Sequence, residues 1–460
     1  LLLLAAGAVA AFHLANLVPG CALVSVVFLA CLVGLTRLGS ARRALNWGVV
    51  IGLAVYVPYL HFFWRVFVGP TPSTLEKVLT IFGVCVLWMV LPMWLGVFLA
   101  LATFARRRLN PWVAMLVIPL LWTGVEYFRS ELYPLRYSWL GIGYAFSSWP
   151  LVLAWTGVYG IGFVLCLVAS AAVLTWNNTA AGRVIPWCGV GTLAVLAWAG
   201  FSGRPAPADR GVEVVGIQYE FALPGAIRKG LDAALRAHPD AQLFVLSEYA
   251  FDGPVPDRVR QWCRDHQRYL IAGGTVPAGA ADFYDTVFVI DAHGEVVFQQ
   301  AKAQPLQFFH DGLPAPQQRV WDSPWGKIGL CICYDLSFTR VTDRLIRQGA
   351  QAILCPSMDL ESWGAYEHAL HTRVALVRAA EYHVPIFRLT SSGISQAVTR
   401  DGVVRATAPF PGQGRMLVGR LDLDAPPHRP VDRYPAWLAV AVTGLVAAGA
   451  IMVRARKSHT

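Results

Sequence analysis

Seven apolar runs, most of them close to the roughly 20 residues that cross a bilayer, crowd into the first 202 residues of this 460-residue chain. They lie at about 1–18, 20–36, 45–63, 79–104, 110–128, 155–176 and 184–202, and an eighth follows at 434–453. Such a pattern restricts the fold to helices in lipid, because a lone segment buried in hydrocarbon must satisfy its own backbone polar groups. With 56% hydrophobic and only 14% charged residues, the chain as a whole lies outside the range of soluble enzymes. The run that begins at Leu1 is expected to be a helix and not a signal peptide. It has no basic start, and six more apolar spans follow at short intervals. The chain opens without Met, which we read as trimming upstream.

Basic residues orient these spans, since short cytoplasmic loops retain Lys and Arg. Arg37, Arg42 and Arg43 lie between spans two and three, and Arg106, Arg107 and Arg108 between four and five. Arg183 lies between six and seven, and Arg454, Arg456 and Lys457 follow the last span. Eight crossings put all four groups on the cytoplasmic side and the segment between spans seven and eight on the outer face. The expected organisation is a membrane domain at 1–203, an extracytoplasmic domain at 204–430, and a C-terminal helix with a basic tail at 431–460. The net charge of +10 owes much to these arginines. No basic run is interleaved with aromatics, which argues against nucleic acid as a partner.

From Gly211 the periodicity changes. Short β-like runs (212–217, 242–246, 269–272, 286–290, 296–298, 328–333 and 352–354) alternate with helical patterns at 225–237, 255–267, 338–348 and 364–382. Mixed α/β structure follows. Asp291-Ala292-His293-Gly294-Glu295 and Arg400-Asp401-Gly402 read as turns. Pro-rich stretches at 202–208 and 425–430 read as linkers. Of nine cysteines, Cys21, Cys31, Cys85, Cys166 and Cys188 fall in the apolar spans as packing residues. Cys263, Cys331, Cys333 and Cys355 lack metal-site spacing, so no metal is expected.

Three residues carry chemistry. Glu248 closes the apolar run 243–247, Lys302 follows the run 296–300, and Cys333 ends Ile328-Gly329-Leu330-Cys331-Ile332 just before Tyr334-Asp335. A thiol becomes a nucleophile when a base takes its proton, and an ammonium stabilises the oxyanion that results. Glu248 and Lys302 suit those roles, with no organic cofactor or metal. Cys331 reads as a buried strand residue. Asp335 either serves the site or caps the next helix.

The order Glu, Lys, then Cys within Ile-Cys-Tyr-Asp resembles the nitrilase, or carbon-nitrogen hydrolase, superfamily. Tyr284-Asp285 resembles its Tyr-Asn, and Leu354-Cys355-Pro356-Ser357, Arg373 to Glu381 and Ser391-Ser392-Gly393-Ile394-Ser395 resemble its later motifs. The membrane half, through 122–129, Trp139-Leu140-Gly141-Ile142-Gly143-Tyr144 and 157–163, resembles the apolipoprotein N-acyltransferase group of that superfamily.

The resemblance implies a multi-pass helical membrane domain carrying an αββα sandwich on the outer face of the inner membrane, working as a monomer. It implies an acyl chain moved from a phospholipid through a Cys333 thioester to the N-terminal amine of a diacylglyceryl-cysteine lipoprotein. A membrane-anchored amidase, or an impaired lipid-binding paralogue, are the alternatives. The chain departs from the group after Lys302. Where a further active-site Glu is expected, Gln307-Phe308-Phe309-His310 stands, leaving His310 or Asp311 to substitute. Trp363 and Tyr366 are candidates for an acyl-chain wall or plain packing. Glu126 and Arg129, three apart, suit one helical face as a pair, serving either headgroup contact or interfacial anchoring.

Overall fold

The computed structural model describes residues 1–68, 73–175, 211–424 and 427–458, with Gly189 and Gly191. The expected seventh span, Arg183 and the linker at 202–208 lie outside the described residues. The chain divides into two compact units, Leu1–Gly203 with Pro430–Thr460, and Arg204–Arg429.

In the first unit, α1 (Leu2–Leu17), α2 (Ser25–Leu35), α3 (Ala41–Tyr59), α4 (Thr74–Arg108), α5 (Pro111–Tyr127) and α6 (Pro150–Thr175) are followed by a C-terminal helix, Arg433–Ser458. Among the described residues, four stretches, Thr74–Arg108, Pro111–Leu132, Pro150–Thr175 and Arg433–Arg456, are long and apolar enough to cross a membrane, while Leu2–Leu17 and Ala22–Leu35 are shorter apolar helices. Helices α3 and α4 begin about four residues ahead of their apolar runs because capping decides where they start. Ser40 accepts from the Arg43 N–H and Ser73 from the Glu76 N–H. Asn110 caps α5 in the same way, with Pro111 at its first position. Two of the basic loops meet: Arg106 donates to Thr36 Oγ1 at 3.0 Å and Arg107 to the Gly39 carbonyl at 2.6 Å.

Helix α6 is broken at Gly157, whose φ of 71° and ψ of 171° are non-helical. The Asp432 carboxylate fills the break and accepts from the Tyr159 and Gly160 N–H groups at 2.9 and 3.2 Å. It thereby caps the new helix start, where an anion is favoured. A Cβ at Gly157 would lie 2.3 Å from that carboxylate. The interior of this unit also holds Glu131, whose Oε1 accepts from the Tyr159 hydroxyl at 2.9 Å.

The second unit is a two-sheet sandwich. One sheet has the order β12-β1-β2-β3-β4-β5 and the other β11-β10-β9-β8-β7-β6. The strands are β1 (Gly211–Ile217), β2 (Leu243–Leu246), β3 (Tyr269–Pro277), β4 (Phe283–Ile290), β5 (Val296–Ala301), β6 (Val320–Ser323), β7 (Gly326–Leu330), β8 (Ala352–Ser357), β9 (Ile386–Thr390), β10 (Ser395–Val398), β11 (Val404–Ala408) and β12 (Met416–Asp422). Val214, Leu243, Val245 and Val287 from one sheet meet Leu330, Leu354, Phe387 and Leu389 from the other. On its opposite face the first sheet buries Val215, Phe244 and Leu246 against Ile227 and Leu231 of α7 (Pro224–Ala237) and Trp262 of α8 (Asp257–His266). Helices α9 (Thr339–Arg347) and α10 (Ala365–Tyr382) lie against the second sheet, which completes an αββα architecture.

Candidate active site

Glu248 emerges just past β2 and Lys302 directly after β5, so both belong to the first sheet; Cys333 belongs to the second, three residues beyond β7. The strand expected to run through Cys333 stops at Leu330 because a tight turn intervenes. Asp335 N–H donates to the Ile332 carbonyl at 2.9 Å, and the Asp335 carboxylate accepts the Ile332 N–H at 3.1 Å. Cys333 takes a φ of +47°, a left-handed conformation that a non-glycine residue holds only when its surroundings enforce it.

Lys302 is only 2% exposed, and three carboxylates surround its ammonium. Nζ lies 2.6 Å from Glu248 Oε1, 2.7 Å from Asp311 Oδ2 and 3.4 Å from Asp285 Oδ2. Burial works against its charge, yet Asp311 and Glu248 more than offset this and raise its pKa well above the ordinary lysine value. Glu248 Oε2 accepts the Met358 N–H. Burial, then the Glu248 charge, pushes the Cys333 thiol well above its ordinary pKa, with Lys302 pulling the other way. The thiol therefore rests neutral and needs a base at the moment of attack.

Of the two residues offered for the missing Glu, Asp311 reaches Lys302, and its Oδ1 also accepts from the Tyr249 hydroxyl at 2.8 Å. His310 is exposed and packs its ring on Phe283, centroids 5.1 Å apart. Asp335 lies under the elbow and takes the Ala303 and Gln304 N–H groups at 3.1 and 2.7 Å as well as that of Ile332. It ties the segment after Lys302 to the turn that carries Cys333. Burial lifts its carboxyl to about 6 against these hydrogen bonds. Tyr334 is buried and stacks edge-on with Phe338 at 4.8 Å.

Glu248, Lys302, Asp311 and Cys333 line one cleft, whose apolar wall includes Phe221, Leu306, Phe309, Leu360 and Trp363. Phe221 and Phe309, which both line it, are 69% and 36% exposed.

In the membrane unit, Glu126 and Arg129 do not form the expected ion pair. Glu126 Oε1 accepts the Ile142 N–H at 2.9 Å, and Arg129 donates to the Tyr137 carbonyl at 2.8 Å. The helix widens into a π turn at Phe128–Leu132, where residues three apart no longer stack.

Sequence reasoning passed over the buried polar cluster behind the cleft. Asp359, next to Met358, pairs with Arg388 Nη2 at 2.6 Å and His371 Nδ1 at 3.0 Å. Glu367 and His368 complete it, 2.9 Å apart. Among the described residues, the two groupings with cation-binding geometry, Asp359/Glu367/His371 and Glu248/Asp285/Asp311, already hold a cationic side chain, Arg388 and Lys302 respectively. The donor sets are thus spent on that side chain.

The apolipoprotein N-acyltransferase N-terminal domain family matches residues 4–171, and the carbon-nitrogen hydrolase family matches residues 168–425. The apolipoprotein N-acyltransferase of Geobacter metallireducens is 24% identical, the match covering 88% of this chain and 87% of that one. That of Ralstonia nicotianae is 26% identical over 84% of this chain and 80% of its own. A crystal structure of a carbon-nitrogen hydrolase from Helicobacter pylori aligns with a TM-score of 0.41 and 16% identity, covering 47% of this chain and 90% of that one. The chain belongs to the carbon-nitrogen hydrolase family and is similar to apolipoprotein N-acyltransferases through both its helical and its sandwich halves.

Proposed function

We propose that the protein transfers an acyl chain from a membrane phospholipid to the N-terminal amine of a diacylglyceryl-cysteine lipoprotein, on the outer face of the inner membrane. The observation that carries this reading is the apolar wall and rim of the cleft that ends at Cys333. A small polar amide gains nothing from exposed Phe221 and Phe309, whereas an acyl chain buries against them at about 25 cal/mol per Å².

In the first half-reaction Glu248 takes the proton from Cys333 Sγ as sulfur bonds to the ester carbonyl. Lys302 and a backbone N–H after Cys333 stabilise the oxyanion. The carbon–oxygen bond of the ester then breaks, and the leaving lysophospholipid oxygen receives the proton from Glu248. In the second half-reaction the lipoprotein amine attacks the thioester and gives its proton to Glu248. The carbon–sulfur bond breaks, and Cys333 recovers the proton. Asp311 holds Lys302 in place, and the Met358 N–H holds Glu248.

Intact-protein mass spectrometry after incubation with phospholipid tests this reading. Wild type is expected to gain a hydroxylamine-labile acyl mass that Cys333→Ala lacks. Hydrolysis of a short amide with no such adduct would establish the amidase instead. Inertness toward both would leave a lipid-binding scaffold.

A further inference from the structure

Three carboxylates and one ammonium share a buried pocket. Oxygens of Glu248, Asp285 and Asp311 lie within 4.8 Å of one another, and Asp285 has no exposed surface. Ionising all three leaves a net charge of −2 buried beside the thiol, which low-dielectric surroundings do not tolerate. The hydrogen bonds show which one yields. Glu248 receives Lys302 and the Met358 N–H. Asp311 receives the Leu306 N–H and the Tyr249 hydroxyl, in addition to its contact with Lys302. Neither oxygen of Asp285 receives a hydrogen bond.

We propose that Asp285 is a protonated carboxylic acid in the working enzyme, its O–H directed at the Glu248 carboxylate, and that it acts as a positioning residue for that base. This rests on the roles given above to Glu248 and Cys333. The groups facing Asp285 are Glu248 past β2, Lys302 past β5 and Asp311 in the loop that follows, with Tyr249 and Cys333 around them. Burial, followed by the Glu248 charge, raises the Asp285 carboxyl well above its ordinary range. The neutral acid keeps the charge near Cys333 at −1, so the thiol proton can leave. Its ionisation at higher pH adds a second negative charge and opposes thiolate formation. The rate of acyl-enzyme formation therefore falls on the alkaline side.

Infrared spectroscopy of the detergent-solubilised full-length protein tests this directly at about pH 8, above the range to which Asp335 is lifted. A protonated-carboxyl band is expected in wild type. It should move when the protein is grown with carboxyl-labelled aspartate and vanish in Asp285→Asn. The alkaline limb of single-turnover acylation should move up by about one pH unit or more in Asp285→Asn, whose amide is a permanent donor. No aspartate band in wild type, or a band that survives Asp285→Asn, overturns the proposal. If the variant fails to fold, the label experiment on wild type still tests the proposal, because the lack of an aspartate-shifted band overturns it. The band does not depend on any acyl donor. An intact band without a thioacyl adduct refutes the acyl-transfer reading alone, and an adduct without the band refutes this inference alone.

Discussion

Replacing Arg388 by Met removes the cation from a cluster that has no access to solvent. Arg388, Asp359 and His368 are all fully buried, and Arg388 Nη2 stands 2.6 Å from Asp359 Oδ2. Burial alone would raise the Asp359 carboxyl; Arg388 and then His371 reverse this and hold it below the ordinary carboxylate range. Taking away one partner of such a pair strands the other, at a cost of about 3–5 kcal/mol. Arg388 lies on β9, paired with Cys355 on β8, so the loss should appear as faster hydrogen exchange in those strands, by roughly 150- to 5,000-fold. The assay is hydrogen-exchange mass spectrometry on peptides spanning 352–357 and 386–390. Arg260→Met is the control: its partner Glu295 is 64% exposed, and such pairs contribute at most about 1 kcal/mol. Asp359→Asn added to Arg388→Met should recover part of the protection, because no orphaned charge then remains. An effect below about tenfold in the single variant, or none recovered in the double, would refute the assignment of Arg388 as the counter-charge that Asp359 requires.

Lys302→Met should slow thioacyl formation by about 10²- to 10³-fold, the scale of losing one oxyanion donor, as read by single-turnover mass spectrometry. Asp335 carries a raised carboxyl, so the stability its neutral form supplies is complete below about pH 4 and fades as pH rises through about 6. Asp335→Asn should flatten the stability profile across that window in urea melts. Phe221→Ser with Phe309→Ser should raise KM for the phospholipid several-fold and leave the limiting rate of Cys333 acylation within about twofold; a selective fall in that rate would argue against a lipid-gathering rim. Gly157→Ala should lower the melting temperature by several degrees, since the residue is left-handed and its Cβ would strike Asp432.

The candidate cleft was legible in the sequence where polarity broke an apolar run. Glu248, Lys302 and Cys333 each follow such a run, and the structure brings all three into one cleft. Asp285 was visible only as a motif residue beside Tyr284, because its neighbours in space come from β2, β5 and the 306–311 loop. Strands β9 to β12, with β6, were harder to read. Arg388 sits in the middle of β9, a place that period-two patterning reserves for apolar side chains. Its contacts with Asp359 and His371, 29 and 17 residues away, and with the Ile394 carbonyl make that burial tolerable. The pairing of Glu126 with Arg129 failed for a local reason, since helical spacing was assumed through a segment that widens into a π turn.

The division of the site between two sheets has a consequence for the nascent chain. Glu248 and Lys302 hang from one sheet and Cys333 from the other, joined beneath by Asp335, which holds the backbone of both. Whichever sheet forms first, thiol and base meet only once the two have packed face to face. On the proposed mechanism a half-folded protein is thereby chemically silent, and the Cys333 thiol is not armed until the sandwich closes.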